Sequence, residues 1–159
     1  MEKQGRYVCE SQTEQVQMIM PPHLNGYGKL FGGQLAMWID VLAGVVARRH
    51  CRCTITTAAI DNLRFRESVG QNDLVVMRGK MTHSGITSME VRVDSYVENT
   101  KGEERLINTA FVIQVALGAD GRPCPVPPLI PRTPEEKKDF EAGAKRREVR
   151  NKIYRELYE

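Results

Sequence analysis

The sequence predicts an α+β domain in which an antiparallel sheet wraps around one long apolar helix, with a second helix on the surface. A run of apolar residues with a helical period extends from about residue 32 to 49. Four later segments are rich in β-branched residues or alternate between apolar and polar residues, as strands do. A helix this apolar has only one predicted sheet to pack against, so we expect that sheet to curl around it.

The N-terminal part of the chain predicts one strand, one loop and the helix. Residues 14–20 alternate as a short strand, which Pro21 and Pro22 stop. Residues 23–30 are rich in turn formers and lead into the helix.

The remaining elements are four strands and a second helix. The strands are predicted to pair as an antiparallel meander at 54–65, 73–82, 88–97 and 105–116. The last strand is almost continuously apolar, and we therefore expect it to be central. A proline-rich passage runs to Pro131, and Thr133-Pro-Glu-Glu136 has the capping-box pattern that opens a helix.

The chain has 159 residues, the size of a single domain, predicted to span 1–159. Its core is expected at about 14–118, with the proline-rich passage and the C-terminal helix at 119–159. The net charge of +3 is too small to imply a polyanionic partner by itself. The stretch from Lys145 to Arg155 contains six basic residues and only one acid, which indicates either a solvated helix face or a site for phosphate groups or nucleic acid.

Other classes of protein are disfavoured by the pattern of residues. The first residues lack the apolar run of a secretory signal. The apolar run of the helix ends at Arg48-Arg49 and contains Gln34 and Asp40, so we expect it to be too short and too polar to span a membrane. Cys51 and Cys53 are separated by a single residue, and the sequence contains no second Cys/His pair that could complete a set of metal ligands. We therefore expect reduced cysteines and no metal site. We predict a cytoplasmic protein without membrane or nucleic-acid partners.

Asp40 is the most informative residue, because it is a single carboxylate in the middle of the most apolar stretch. Burying an unpaired carboxylate is unfavourable, so this one needs a partner or a chemical role, and these features alone leave both readings open. Its neighbours on the same helix face are mostly small: Gly33, Ala36, Met37, Ala43, Gly44 and Ala47. The larger side chains fall on the other side: Leu35, Trp38, Ile39, Leu42, Val45 and Val46.

The start of this helix and its open flank add two expectations. Phe31-Gly32-Gly33 opens the helix, and backbone N–H groups at a helix N-terminus can polarise a carbonyl or hold an anion. A sheet edge and one flank of the helix would stay uncovered in a single chain, so we expect a dimer.

Several of these residues match, in order and spacing, the sequence pattern of a known family. Asn25-x-x-Gly28-x-x-x-Gly32-Gly33 followed by Asp40 resembles the signature of the cytosolic and brain-type acyl-CoA thioesterases, which have the hotdog fold. Asp61-Asn-Leu-Arg-Phe65 with Val69 and Asp73, and Ser84-Gly-Ile-Thr-Ser-Met-Glu-Val91, resemble later passages of that family. The likeness covers roughly residues 14 to 150. The sequence departs from the family pattern at Ser68, where proline is usual, at Asn72, where glycine is usual, and at His23, where relatives often carry an acid.

The resemblance implies hydrolysis of acyl-CoA thioesters to free acid and coenzyme A, with no cofactor other than the coenzyme A of the substrate. It implies a catalytic pair, Asn25 and Asp40, contributed by opposite protomers. We expect Asp40 to act as general base on water, with nucleophilic attack as the less favoured variant. Asn25 would orient the water or bind the thioester carbonyl, and the N–H groups of Gly32 and Gly33 would stabilise the oxyanion.

Coenzyme A is expected to bind along polar and basic residues. Ser84, Gly85, Thr87 and Ser88 resemble the stretch that lines the pantetheine and nucleotide path, although an ordinary polar turn is the alternative. The candidates for binding the phosphate groups are four arginines, each of which could equally be a plain surface charge: Arg64, Arg66, Arg146 and Arg147. Trp38 and Phe65 are expected in the core rather than in acyl recognition.

The resemblance also implies an assembly built from dimers, a homohexamer formed as a trimer of dimers. Two alternatives stay open. A non-catalytic acyl-CoA-binding regulator would not need Asp40 and Asn25. A hotdog hydratase or dehydratase usually needs a histidine in the site, and the chain has only His23, His50 and His83, none of them in the predicted helix.

Overall fold

The computed structural model describes residues 3–159 and contains two α-helices, two short 3₁₀ helices (Val8–Glu10 and Pro21–His23) and seven strands in that range. The long apolar helix α1 is Gly32–Cys51, and the C-terminal helix α2 is Pro134–Tyr158. The strands are β1 Arg6–Tyr7, β2 Thr13–Met18, β3 Thr54–Asp61, β4 Leu74–Ser84, β5 Ser88–Glu98, β6 Glu104–Leu117 and β7 Leu129–Ile130.

Five strands form one antiparallel sheet in the order β2-β4-β5-β6-β3, and α1 contacts all five of them. The prediction of an α+β fold with a sheet wrapped around an apolar helix is confirmed. The predicted four-strand meander is wrong at its first strand, because β3 pairs with β6 and not with β4. The free edge of β4 is taken by β2, so β3 can join the sheet only at its other side.

Side-chain alternation gives the sheet two different faces. Met89, Val91 and Val93 of β5 are buried toward α1, whereas Glu90 and Arg92 point to the opposite face, where α2 lies. The two helices therefore cover opposite faces of the same strands.

The contact of α1 with the sheet is close. A side chain on Gly79 of β4 would meet Val46 at 3.0 Å and Leu42 at 3.2 Å, so glycine is needed for the helix to approach this strand. Two small residues predicted on the face of Asp40, Ala43 and Ala47, are buried in the core. The other small residues of that face, Gly33, Ala36 and Gly44, stay partly or fully exposed.

The exposed flank of α1 carries an apolar stripe of Met37, Val41 and Val45, each separated from the next by about one helical turn. Val45, predicted on the side of the helix opposite to Asp40, is partly exposed. The helix ends where Arg52 adopts a left-handed conformation with φ of 54°. His50, predicted to follow the helix, lies in its last turn and is buried.

The N-terminus and the proline-rich passage meet in a two-stranded parallel sheet of β1 and β7, which was not predicted. Val8, Val126 and Leu129 join the buried core, which therefore extends beyond the expected 14–118. In α2, the predicted capping box is present: Thr133 Oγ1 accepts from the Glu136 N–H at 3.1 Å, and the Glu136 carboxylate accepts from the Thr133 N–H at 3.2 Å.

Candidate active site

The Asp40 carboxylate lies on the partly open flank of α1 and contacts the neighbouring strand β3. The Thr57 hydroxyl donates a hydrogen bond to Asp40 Oδ1 at 2.6 Å. A carboxylate has two oxygens that accept hydrogen bonds, so Oδ2 stays available to a further donor such as water. The helix therefore presents a half-buried carboxylate that is held on one oxygen only.

A second contact supports Thr57 from the next strand. Gln114 of β6 is the ladder partner of Thr57, and its Nε2 donates to Thr57 Oγ1 at 2.9 Å. The Gln114 side chain is fully buried, and its Oε1 atom has no hydrogen-bond partner among residues 3–159. An unsatisfied buried acceptor of this kind costs about 1–3 kcal/mol.

The sequence did not single out Thr57 or Gln114. Thr57 is an ordinary β-branched residue in a strand, and nothing local marks it. Gln114 gave a signal that could have been used, because it is the single polar residue between Ala110 and Ala116.

Asn25 lies in the loop before α1 and organises that loop. Its Oδ1 accepts from the backbone N–H groups of Tyr27 at 2.9 Å and Lys29 at 3.2 Å. Gly28 closes the same turn with φ of +70°, a conformation that favours glycine. The turn therefore occupies the acceptor side of the Asn25 amide and leaves Nδ2 as a donor.

The start of α1 lies next to this loop, and side chains at its two glycines would press on neighbouring aromatic rings. A side chain on Gly33 would meet the Phe31 ring at 2.5 Å, and one on Gly32 would meet the Phe65 ring at 3.2 Å. The N–H groups at this end of the helix carry its positive partial charge. Gly32 and Gly33 can therefore present backbone donors at close range.

The two groups of residues are separated within one chain. Gly32 and Asp40 are eight residues apart on α1, which corresponds to about 12 Å along the helix axis. That is too far for both to act on one thioester group. The structure brings Asp40, Thr57 and Gln114 together in one cluster and places Asn25, Gly32 and Gly33 in another.

A cavity of about 480 Å³ opens beside the second cluster, between the Asn25 loop and the segment after β3. It is lined by Leu30, Leu35, Phe65 and Ile107 as well as by Asn25 and Gly32. The prediction that Phe65 belongs to the core is wrong, because its side chain is 51% exposed and lies across Gly32 at the mouth of this cavity. Trp38 is buried, as expected.

The predicted coenzyme A residues fall in three places. Arg66 lines the cavity described above, and Arg64 is exposed on the same segment. A side chain on Gly85 would meet Arg147 Nη1 and Ser88 Oγ, both at 2.9 Å, so these residues share one small region at the β4–β5 turn.

The other residues of that turn are held by backbone contacts. Ser84 Oγ accepts from the Leu129 N–H at 2.9 Å, and the Thr87 carbonyl accepts from the Ala116 N–H at 3.0 Å. The Ser84 hydroxyl therefore already has a structural partner.

Arg146 differs from its neighbour Arg147 because its guanidinium group is engaged. It donates to both oxygens of Glu90, at 2.7 and 3.1 Å, and lies 3.8 Å above the centre of the Phe111 ring. Glu90 is only 3% exposed and also accepts from the Thr82 hydroxyl at 2.6 Å. The sequence did not indicate this buried ion pair, which fastens α2 to the outer face of the sheet.

The three histidines have local partners away from Asp40. His23 Nδ1 accepts from the Met20 N–H at 3.0 Å, and its ring packs edge-on against Trp38. His50 Nε2 contacts the Pro127 carbonyl at 2.8 Å, and burial lowers the pKa of this imidazole. His83 packs on Phe140, and burial lowers its pKa as well, an effect that the nearby Glu90 opposes.

Among residues 3–159, no group of three or more His, Cys, Asp or Glu side chains is arranged to hold a metal ion. Neither α1 nor α2, the helices of this range, is long and apolar enough to cross a membrane.

Comparison with known proteins identifies the family. The profile of the thioesterase superfamily matches residues 27–103. The uncharacterized acyl-CoA thioester hydrolase YkhA of Bacillus subtilis is 39% identical over 132 residues, which are 82% of this chain and 77% of that protein. The cytosolic acyl coenzyme A thioester hydrolase of Rattus norvegicus is 35% identical over 140 residues, 86% of this chain but only 36% of that longer protein.

Solved structures agree with the sequence relatives. A hexameric acyl-CoA thioesterase, solved in its apo form, superimposes with a TM-score of 0.89 at 35% identity over 99% of this chain and 100% of that one. An acyl-CoA hydrolase from Staphylococcus aureus, in complex with butyryl coenzyme A, coenzyme A and coenzyme A disulfide, gives a TM-score of 0.89 at 26% identity over 95% of this chain and 93% of that one. The predicted resemblance is confirmed, and the chain belongs to the hotdog-fold acyl-CoA thioester hydrolases of the thioesterase superfamily.

Proposed function

We propose that this protein hydrolyses acyl-CoA thioesters to the free acid and coenzyme A, in a site shared by two protomers. The observation that carries the proposal is the Asp40 carboxylate, held by Thr57 on one oxygen and open on the other at a flank of α1. Family membership supplies the substrate class.

In the proposed reaction, Asp40 removes a proton from water, and the resulting hydroxide attacks the carbonyl carbon of the thioester. The oxyanion accepts hydrogen bonds from the N–H groups of Gly32 and Gly33 and from Asn25 Nδ2. Collapse of the tetrahedral intermediate breaks the carbon–sulfur bond, and the coenzyme A thiolate takes the proton from Asp40. Attack by Asp40 itself, through an anhydride, is the less favoured variant.

The separation of the two clusters supports the shared site. Because about 12 Å lies between Gly32 and Asp40 in one chain, the Asp40 of one protomer would act with the Asn25 loop of another. The edge strand β3 and the exposed stripe of Met37, Val41 and Val45 provide a surface for a second copy. We extend this to a homohexamer built as a trimer of dimers, in line with the hexameric neighbour.

Coenzyme A is proposed to run along the β4–β5 turn, past Ser84, Gly85, Thr87 and Ser88, with Arg147 at its phosphate groups. Arg64 and Arg66 are further proposed phosphate partners. Arg146 could bind a phosphate group only if its contact with Glu90 opened, so within this proposal its contribution is smaller than that of Arg147. A cytoplasmic location, as in the cytosolic relative, is part of the same proposal.

The test is the release of free thiol from acyl-CoAs of short to long chain length. We expect turnover by the wild type and by Asp120→Asn, a control in an exposed turn, and loss of turnover in Asp40→Asn. Wild-type rates in a folded Asp40→Asn variant would contradict the proposed base.

The two alternatives predict different results in the same samples. Tight coenzyme A binding by calorimetry without turnover of any acyl-CoA would favour the binding regulator. Addition of water to an enoyl-CoA, measured as the decrease in its absorbance, would favour a hydratase. Such an enzyme usually needs a histidine in the site, and His50 and His83 have local partners in this fold.

A further inference from the structure

Gln114 occupies an unusual position for a polar residue. It lies on the face of β6 that points to α1, in a row with Ala110, Val112 and Ala116, and all four residues are fully buried. An apolar side chain of similar size would suit this row. The presence of an amide here therefore calls for an explanation other than packing.

Hydrogen-bond chemistry determines what the Gln114 amide does to Thr57. A threonine hydroxyl has one hydrogen to donate, and an ionised Asp40 can only accept. The hydroxyl hydrogen therefore goes to Asp40 Oδ1, at 2.6 Å, and Thr57 Oγ1 can still accept a hydrogen bond from a donor. Gln114 Nε2, at 2.9 Å, is that donor.

We propose that Gln114 is a positioning residue for the hydrolysis, which holds the Thr57 hydroxyl in the orientation that donates to Asp40. This inference rests on the proposed function, since it concerns the same carboxylate. With the Thr57 hydroxyl fixed as a donor, Asp40 Oδ1 is occupied, and Oδ2 is the oxygen that takes the proton from water. Gln114 does not touch the substrate and acts only through Thr57.

The unsatisfied carbonyl of Gln114 supports a functional reading. Its Oε1 atom is buried and has no partner among residues 3–159, so the amide is retained although half of it is unsatisfied. A residue selected for stability alone would avoid such an acceptor. Removing the amide should therefore relieve the fold while disturbing Asp40.

The first variant is Gln114→Met, which keeps the length of the side chain and removes both polar atoms. We expect kcat to fall about 10- to 100-fold, because Asp40 loses its fixed orientation. We expect the urea midpoint to be equal to or higher than that of the wild type. Thr57→Val, measured beside it, should lower kcat by a similar factor. Unchanged kcat in a folded Gln114→Met variant would overturn the proposal.

The second variant, Gln114→Glu, keeps a polar side chain and carries the test if the methionine variant does not fold. Its protonated carboxyl group can donate to Thr57 as the amide does, whereas its ionised form would accept the Thr57 hydrogen in place of Asp40. Burial raises the pKa of such a carboxyl group. We expect kcat relative to the wild type to be restored at low pH and to fall as the pH rises. A ratio that is constant with pH would count against the proposal.

A structural readout separates this inference from the proposed function. Crystals of Gln114→Glu at low and high pH should show the Thr57 Oγ1 to Asp40 Oδ1 contact at low pH and its loss at high pH. If the wild type hydrolyses no acyl-CoA, the proposed function fails, and the crystals still decide whether position 114 directs the Thr57 hydroxyl. An unchanged contact at both pH values would overturn the inference while leaving acyl-CoA hydrolysis intact.

Discussion

Two carboxylates on opposite faces of the same sheet each accept a hydrogen bond from a threonine hydroxyl, but they differ in burial and in their other partners. Thr57 donates to Asp40 at 2.6 Å on the side of α1, and Thr82 donates to Glu90 at 2.6 Å on the side of α2. Glu90 is buried and receives two further bonds from Arg146, whereas Asp40 is half-buried and keeps one oxygen open. A buried carboxylate with both oxygens hydrogen-bonded, such as Glu90, holds the fold together. A partly exposed carboxylate with one oxygen free, such as Asp40, is available for chemistry.

The largest expected effect comes from replacing each carboxylate by its amide. Asp40→Asn should lower kcat about 10²- to 10⁴-fold, because the general base is lost, with little change in the urea midpoint. Glu90→Gln should do the reverse, lowering the midpoint while kcat of the folded protein stays near that of the wild type. Thiol release and urea unfolding on both variants measure this. The comparison would break if Glu90→Gln abolished turnover or if Asp40→Asn unfolded the chain.

The contribution of the Arg146–Glu90 ion pair to stability can be measured directly. Arg146→Met leaves Glu90 buried without its cation, and we expect a loss of about 3 kcal/mol in the free energy of unfolding. Arg147→Met is the matched control, one residue further along α2, and should change stability by less than about 0.5 kcal/mol. Equal effects of the two substitutions would mean that the Glu90 contact does not anchor α2.

Subunit mixing tests whether Asp40 acts together with the Asn25 loop of another protomer. An Asn25→Ala protomer and an Asp40→Asn protomer are each expected to be inactive, but a mixed dimer with shared sites has one site with both changes and one with neither. Random exchange should therefore recover roughly one quarter of the wild-type activity. Each variant mixed with itself is the control, and mass spectrometry verifies the exchange. No recovery after full exchange would indicate a site within one protomer.

The smallest expected effect is a pH dependence of stability from His83, which lies beside Glu90. Burial lowers its pKa, Arg147, Arg146 and Arg150 add to this, and Glu90 opposes it. The unfolded chain therefore takes up the proton first as the pH falls through about 6.5, and the stability that the neutral imidazole contributes above that pH is lost below it. We expect His83→Gln to reduce the fall in unfolding free energy between pH 7 and pH 5 by less than about 1 kcal/mol. Identical pH slopes for variant and wild type would contradict this.

The parts of the fold that depend on local pattern were predictable. The apolar period predicted α1, alternation and β-branched runs predicted the five strands of the main sheet, and the capping box predicted the start of α2. The pairing of β3 with β6 was not predictable in this way, because it depends on β2 occupying the far side of β4. Local sequence carries no information about which edge of a sheet is already filled.

The candidate active site shows the same limit at the level of single residues. Asp40 and the glycines at the helix start were singled out as candidates because a charge in an apolar helix and a pair of glycines are unusual locally. Thr57 was not singled out, because its hydrogen bond to Asp40 is a contact between a strand and a helix. Glu90 was missed because alternation placed it on a face that usually meets water, and only α2 buries it.

The distance between Gly32 and Asp40 has a consequence for how activity depends on the amount of protein. If each complete site needs two chains, the number of sites follows the association equilibrium of the protomers rather than the number of chains. Below the dissociation constant of the dimer, activity would rise with the square of the protein concentration, and dilution alone would switch the enzyme off without any inhibitor.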